Sequence, residues 1–312
     1  MTATLDHSTD RTPILGFEST VPRRLVHRRS VAEVFVTECI STEIPDTFVL
    51  GAQWPRAHTF YESVAGRHDT MLLAETLRQS AIYLAHTRYR VPLTSRFVMQ
   101  RIHVKARSDL RQIGMYPSDV RIDAAVSGIL RSDSALKQFT INLRFVIDGK
   151  VVGTGLGIAN VMTPETYDRL RWTSRQADGV GPAICKEPVE PHTVGRSRSA
   201  DVVLSNHPRK GVWQLRTDTT HPILFDHPCD HVPGMSVLEA VRQGAHAATG
   251  NVEAAVDELD VTFSKFVELD EHTLVIVVLD RDGHHSAVVT LEQEGTKVAV
   301  GSVRLSRPHR TP

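Results

Sequence analysis

Residues 71–81, MLLAETLRQSA, return at 235–245 as MSVLEAVRQGA, with Met, Glu, Arg, Gln and Ala in register at an offset of 164. Glu75 is thereby paired with Glu239, Arg78 with Arg242, and Gln79 with Gln243. A second match lies upstream, where VHRRSVAEVFVT at 26–37 resembles VGRSRSADVVLS at 194–205 at an offset of 168. The difference between the two offsets is one that a single loop absorbs. Two matches in the same order are the mark of an internal duplication, and units of this length form a domain pair rather than a solenoid.

Composition narrows the rest. A chain of 312 residues has the length of two ordinary domains. With 36 basic and 36 acidic residues the net charge is zero, which argues against nucleic acid or an anionic membrane as the main partner. Three widely spaced cysteines, Cys39, Cys185 and Cys229, fit a reducing compartment better than a disulfide scaffold. The start, MTATLDHSTDRTP, lacks the basic and apolar stretches of a secretory signal. No apolar run approaches the roughly 18 residues of a membrane span. The composition predicts a soluble, cytoplasmic protein.

Along the chain, residues 1–20 read as a flexible leader, 21–173 as the first repeat, 174–193 as a Gly/Pro-rich linker and 194–312 as the second repeat. The first repeat shows strand-like stretches at 33–40 and 46–53, a helix from Thr70 to Arg88, then alternating runs beginning FVMQRIHVKA, VRIDAAVSGI, QFTINLRFVID and VVGTGLGIANV. Thr163-Pro164 predicts the start of a short helix reaching Trp172. In the second repeat DVVLS and VWQLRTDT read as strands, and a helix starts near Met235 and ends at Gly250. HTLVIVVLD, HSAVVTLEQ and KVAVGSVRLS then form a meander, with turns at Asp282-Gly283 and Glu294-Gly295. Early strands, one helix and a set of strands, twice over, define an α+β chain and exclude the alternation of a parallel sheet.

Both long helices are apolar nearly all round, as a buried helix is. Glu75, Arg78 and Gln79, and their copies Glu239, Arg242 and Gln243, are the polar exceptions. Glu and Arg three apart share a face. Charges placed there are costly unless paired or open to a cavity. A salt bridge copied by duplication and a pair of residues bordering a ligand cleft both satisfy that condition.

The segment PGMSVLEAVRQGA resembles the active-site helix of hotdog-fold acyl-thioester enzymes, especially 3-hydroxyacyl-carrier-protein dehydratases. Pro233, Gly234, Glu239 and Gln243 stand at that family's spacing. The place of the dehydratase histidine is taken by Phe225, a departure that argues against dehydration. VHRRSVAEVFVT, GRHDTMLLAETLRQSA, RSRSADVVLS and DHPCDHVPGMSVLEAVRQGA together resemble the A-factor biosynthesis family, which makes γ-butyrolactone autoregulators. The resemblance covers nearly the whole chain and implies a tandem double hotdog fold. Each repeat would wrap an antiparallel β-sheet round one long helix, and the pair would form an intramolecular pseudo-dimer.

It further implies transfer of a 3-oxoacyl group from acyl carrier protein to the hydroxyl of dihydroxyacetone phosphate. The ester then leads to a butyrolactone or butenolide signal that regulates secondary metabolism. No cofactor is implied beyond the phosphopantetheine that carries the donor. A dehydratase or thioesterase on the same fold, or a non-catalytic thioester-binding regulator, are the alternatives. Under the transferase reading Glu75 and Glu239 are candidate bases, their pKa raised by an apolar helix. The amides after Gly234 are candidate oxyanion donors. Arg78, Arg242, Gln79, Gln243, His58 and His221 are candidate phosphate or substrate ligands. Which repeat hosts the chemistry is open, because the second keeps Pro233-Gly234 where the first has His68-Asp69.

Three other signals compete. His227-Pro-Cys229-Asp-His231 has the look of a metal cluster but lacks an obvious fourth ligand. Cys229 is a conceivable acyl nucleophile, with no feature that would lower its pKa. Gly153, Gly155 and Gly157 suggest a dinucleotide loop, yet their period of two places them on one strand face where a helix can approach.

Overall fold

The computed structural model describes residues 15–107, 112–173, 180–280 and 285–306. In the first half β1 (Val36–Ser41) and β2 (Thr47–Trp54) precede α1 (Thr70–Thr87). Four strands follow it: β3 (Arg96–Ala106), β4 (Ser118–Ser132), β5 (Ala135–Ile147) and β6 (Lys150–Met162). A short helix, α2 (Pro164–Trp172), leads out, capped by the Thr163 hydroxyl on the Thr166 amide. The second half runs β7 (Leu204–Asn206), β8 (Val212–Leu215), α3 (Gly234–Thr249), β9 (Val256–Phe263), β10 (Thr273–Leu279), β11 (Ser286–Gln293) and β12 (Thr296–Leu305).

The strands form one antiparallel sheet in the order β1-β2-β4-β5-β6-β3-β9-β12-β11-β10-β8-β7. Taken from either edge inward, the two halves have the same order, and α1 and α3 pack mainly on the strands of their own half. The two sheets expected from the duplication are thus joined edge to edge through β3 and β9, with Arg101 to Lys105 opposite Thr262 to Glu258. The apolar-periodicity reading passes over β9. Its sequence, VDELDVTF, carries acids that pair with β3: Arg101 binds Asp260 at 2.9 and 2.6 Å, and His103 binds Glu258 at 2.9 Å. The expected strand at 201–205 begins only at Leu204, because Ser199–Asp201 form a 3-10 turn and the Val203 amide bonds a side chain.

Of the stretch read as linker, 174–179 lie outside the described residues. The remainder is tied to the second half: Ile184 bonds Leu269 and Thr217, and the Val189 amide bonds the Leu204 carbonyl. The Val21 amide bonds the Val36 carbonyl in the same way in the first half. Residues 1–14 of the expected leader and the Asp282-Gly283 turn also lie outside the described residues.

α1 opens on Asp69, whose carboxylate accepts the Met71 amide at 2.9 Å. α3 ends at Gly250 in the left-handed region, φ 69°, as the sequence predicts. The glycine stripe of β6 faces α1. A methyl on Gly153 would meet the Leu73 side chain and the Lys105 carbonyl oxygen at 2.8 Å, and Gly155 and Gly157 both face Leu77. The Lys105 carbonyl belongs to the β3–β6 ladder and cannot yield without disturbing it. Gly153→Ala should therefore destabilise the fold by about 1–3 kcal/mol. Gly114→Ala, where a methyl meets nothing within 4 Å, should leave the denaturation midpoint nearly unchanged.

Candidate functional site

The polar residues of the two helices organise two matching clusters. In the first, Glu75 is fully buried and its Oε1 accepts Arg28 Nε at 3.0 Å, Arg78 Nη2 at 2.8 Å and Gln79 Nε2 at 2.7 Å. Its Oε2 accepts Arg78 Nε at 3.0 Å. In the second, Glu239 Oε1 accepts Arg196 Nε at 2.9 Å, Arg242 Nη2 at 2.8 Å and Gln243 Nε2 at 2.6 Å. Arg28 and Arg196 occupy matching positions of the upstream repeat. Each also crosses to the other half, Arg28 to the Ile223 carbonyl and Arg196 to the Phe60 carbonyl. Neither was singled out from sequence, although the arginine shared by VHRRS and VGRSR was the available signal.

This arrangement corrects the role expected of the glutamates. Burial alone raises the Glu75 carboxyl, but the Arg28 and Arg78 guanidiniums outweigh it and hold the pKa at about 2. Burial likewise opposes the charge on Glu239, and Arg196 and Arg242 bring its pKa below the usual range. Neither carboxylate is a base poised near neutrality; each holds arginines in place.

The glutamines and loop histidines are also spent internally. Gln79 accepts the Phe35 amide at 2.8 Å and donates to the Glu33 carbonyl at 2.6 Å, and Gln243 does the same with Val203 and Asp201 at 2.9 and 2.8 Å. His58 Nδ1 accepts the Phe60 and Tyr61 amides, both at 3.1 Å, while its Nε2 meets Glu33 at 3.3 Å. His221 repeats this with Ile223, Leu224 and Asp201 at 3.2, 3.1 and 3.1 Å. Expected as substrate ligands, these four residues instead fasten loops to helices, because their polar atoms already have partners.

One position breaks the symmetry. Arg242 Nη1 is bound at 2.9 Å by Asp69, the N-cap of α1. The residue matching Asp69 at the start of α3 is Pro233, which offers no carboxylate. Arg78 Nη1 accordingly has no acceptor among the described residues. The Arg78 side chain is 18% exposed, against 6% for Arg242. The clusters differ in charge as well. Counting direct ion pairs, Arg28 and Arg78 against Glu75 leave one positive charge, whereas Arg196 and Arg242 are balanced by Glu239 and Asp69. Arg242, expected as a phosphate ligand, is neutralised and buried.

The excess charge borders a cleft of about 1140 Å³. Arg28 and Arg78 line it together with the first turn of α3 at Gly234, whose leading amides have no side-chain cap. Phe97, Met99, Ile102, Phe263 and Val298 supply an apolar wall over the β3–β9 junction. A second cavity, beside His221 and Phe225, measures only about 10 Å³. Cys229 lines the large cleft, but burial and the adjacent Asp230 push its thiol up to about 11, so it is not an activated nucleophile. No group of three or more metal-ligating side chains converges among the described residues.

Fold and site together define a hotdog protein with a large charged cleft lined by residues of both halves. The profile of the A-factor biosynthesis hotdog domain matches residues 9–163 and again 179–306, and the chain belongs to that family. It is 40% identical over 252 residues to the 2-oxo-3-(phosphooxy)propyl 3-oxoalkanoate synthase of Streptomyces virginiae, covering 81% of this chain and 85% of that one. The enzyme of the same name from Streptomyces coelicolor is 32% identical over 276 residues, covering 88% and 87%. Among solved structures, an acyl-ACP thioesterase from Bacteroides thetaiotaomicron shares the fold, with a TM-score of 0.52 at 12% identity over 83% of this chain and 98% of that one.

Glu75→Gln strands two guanidiniums and should cost about 3–5 kcal/mol of stability. The depressed pKa adds a pH signature. Stability contributed by Glu75 is complete above its ordinary value of 4.5 and is lost as pH falls from there through about 2. Denaturant titrations across that window should show a shallower decline for the variant than for the unsubstituted protein. Equal slopes would contradict the pairing of Glu75 with Arg28 and Arg78.

Proposed function

We propose that this protein is an acyltransferase that moves a 3-oxoacyl group from the thioester of acyl carrier protein to the free hydroxyl of dihydroxyacetone phosphate. The product is a 2-oxo-3-(phosphooxy)propyl 3-oxoalkanoate, the ester that opens the route to a butyrolactone or butenolide signal. Family membership and the shared name of its relatives support the reaction. The observation that carries the site is Arg78: its counterpart in the second cluster, Arg242, is neutralised by Asp69, whereas Arg78 Nη1 has no partner among the described residues and stands at the edge of the large cleft. A cation is what a phosphate-bearing acceptor needs and what thioester hydrolysis does not.

In this reading Arg78 binds the acceptor phosphate, and Glu75 and Arg28 hold the guanidinium against the helix. The acyl chain lies along the apolar wall of Phe97, Met99 and Phe263. The thioester carbonyl faces the leading amides of α3 at Gly234, where partial positive charge stabilises the oxyanion of the tetrahedral intermediate. Phosphopantetheine brings the donor from the cleft mouth, and the reaction belongs in the cytoplasm, where fatty-acid metabolism supplies it. No described helix is long and apolar enough to cross a membrane.

Purified protein given a medium-chain 3-oxoacyl carrier protein should yield the phosphorylated ester, detected by mass spectrometry, only when dihydroxyacetone phosphate is present. Arg78→Ala should raise KM for the triose phosphate about tenfold or more, the loss of a charge-assisted hydrogen bond. Release of free acid at the same rate without the triose would identify a thioesterase instead.

A further inference from the structure

With both helix glutamates committed to arginines, the cleft needs another group to move the proton of the acceptor hydroxyl. We propose that His231, oriented by Asp230, is that group, a role that rests on the acyl-transfer reading above. His231 Nδ1 lies 2.6 Å from Asp230 Oδ1, so Nδ1 carries the proton that the carboxylate accepts and the Nε2 lone pair is left as the base. His231 Nε2 has no partner among the described residues. The ring is 30% exposed and lines the cleft three residues before Gly234. The Phe266 ring packs against it in a T-shaped contact, with ring centroids 4.8 Å apart.

The carboxylate behind it is itself held. Tyr167 donates its hydroxyl to Asp230 at 3.0 and 2.9 Å, and Arg171 Nε donates at 3.2 Å. Arg171 Nη2 also binds the Asp230 carbonyl at 2.6 Å, while Glu268 takes the rest of the guanidinium. Arg96 lies over the Tyr167 ring at 5.8 Å. These groups reach the pair from α2, from the loop after β9 and from β3, and the Cys229 thiol adjoins Asp230 on its own loop. Burial pushes the Tyr167 phenol well above its usual range, so it stays a donor. Burial opposes the Asp230 charge, but His231, Tyr167 and Arg171 bring its carboxyl far below the usual range, so it stays an acceptor.

The other histidines of the cleft are less suited. His27 Nε2 is spent on His86 at 2.8 Å. His227 meets Asp226 only at 3.4 Å, and that carboxylate already accepts the Arg29 and Ser30 amides.

In the step, the hydroxyl oxygen of the triose phosphate bonds to the thioester carbon as its proton passes to His231 Nε2. The carbonyl pair moves onto oxygen beside the α3 amides. On collapse the C–S bond breaks, its pair leaves with sulfur, and the imidazolium returns the proton to give the free pantetheine thiol. No oxidant or further reactant is needed.

The test measures ester formation from 3-oxoacyl carrier protein and dihydroxyacetone phosphate for the unsubstituted protein and for His231→Ala, His231→Gln and Asp230→Asn. Both His231 variants should lose about a hundredfold or more in kcat with KM for the triose phosphate little changed. Added imidazole should restore part of the activity of His231→Ala and none of that lost in Arg78→Ala. Asp230→Asn should lower kcat with KM for the triose phosphate little changed, because the carboxylate no longer holds the tautomer that leaves Nε2 as the base. Full activity in the His231 variants, or a loss that imidazole does not relieve together with an unchanged kcat in Asp230→Asn, would overturn the assignment and leave the transferase reading intact. An unsubstituted protein that forms no ester would overturn that reading and, with it, this role.

Discussion

Everything in this molecule is arranged around two carboxylates that have no access to water. Glu75 and Glu239 lie in helices that are otherwise almost wholly apolar, and an unpaired charge there would be ruinous to stability. Each is therefore supplied with two guanidiniums and a glutamine amide. One guanidinium comes from the same helix and the other from the segment preceding the first strand. That second arginine reaches on to a backbone carbonyl of the opposite half, so neutralising the core charge and docking the halves are one act.

The same architecture explains how a duplicated protein presents one cleft differently from its copy. Asp69 and Pro233 are both helix N-caps at matching positions, and the substitution of one for the other has two effects. Asp69 closes the second cluster by drawing Arg242 away, and Arg242 Nε and Glu239 Oε2 are left without partners among the described residues. Pro233 leaves the first turn of α3 uncapped and Arg78 with a free edge, and both border the same space. Anion affinity from a guanidinium and from a helix terminus converge there. The apolar junction of β3 and β9 beneath supplies the surface an acyl chain requires.

Much of this was legible in the chain. The repeated Glu-x-x-Arg-Gln pattern located both clusters, and the period-two glycines of β6 located the contact with α1. What was not legible depended on partners remote in sequence. An apolar helix suggested a raised pKa for Glu75, but Arg28, 47 residues upstream, reverses the direction. His58 and His221 looked available because their acceptor and donor partners are backbone amides and a distant acid. β9 escaped notice because its acids are matched by bases on β3, a pairing that single-strand periodicity does not register. Asp230, His231 and Tyr167 meet only once α2 has folded back beside the start of α3.

The central claim is that two matching clusters provide one binding site. Calorimetric titration of dihydroxyacetone phosphate into the protein, loaded with a non-transferable 3-oxoacyl pantetheine amide, tests it directly through stoichiometry. The account predicts one triose phosphate per chain. Two equivalent sites per chain would contradict it, because the Arg242 cluster would then bind phosphate despite its ion pair with Asp69.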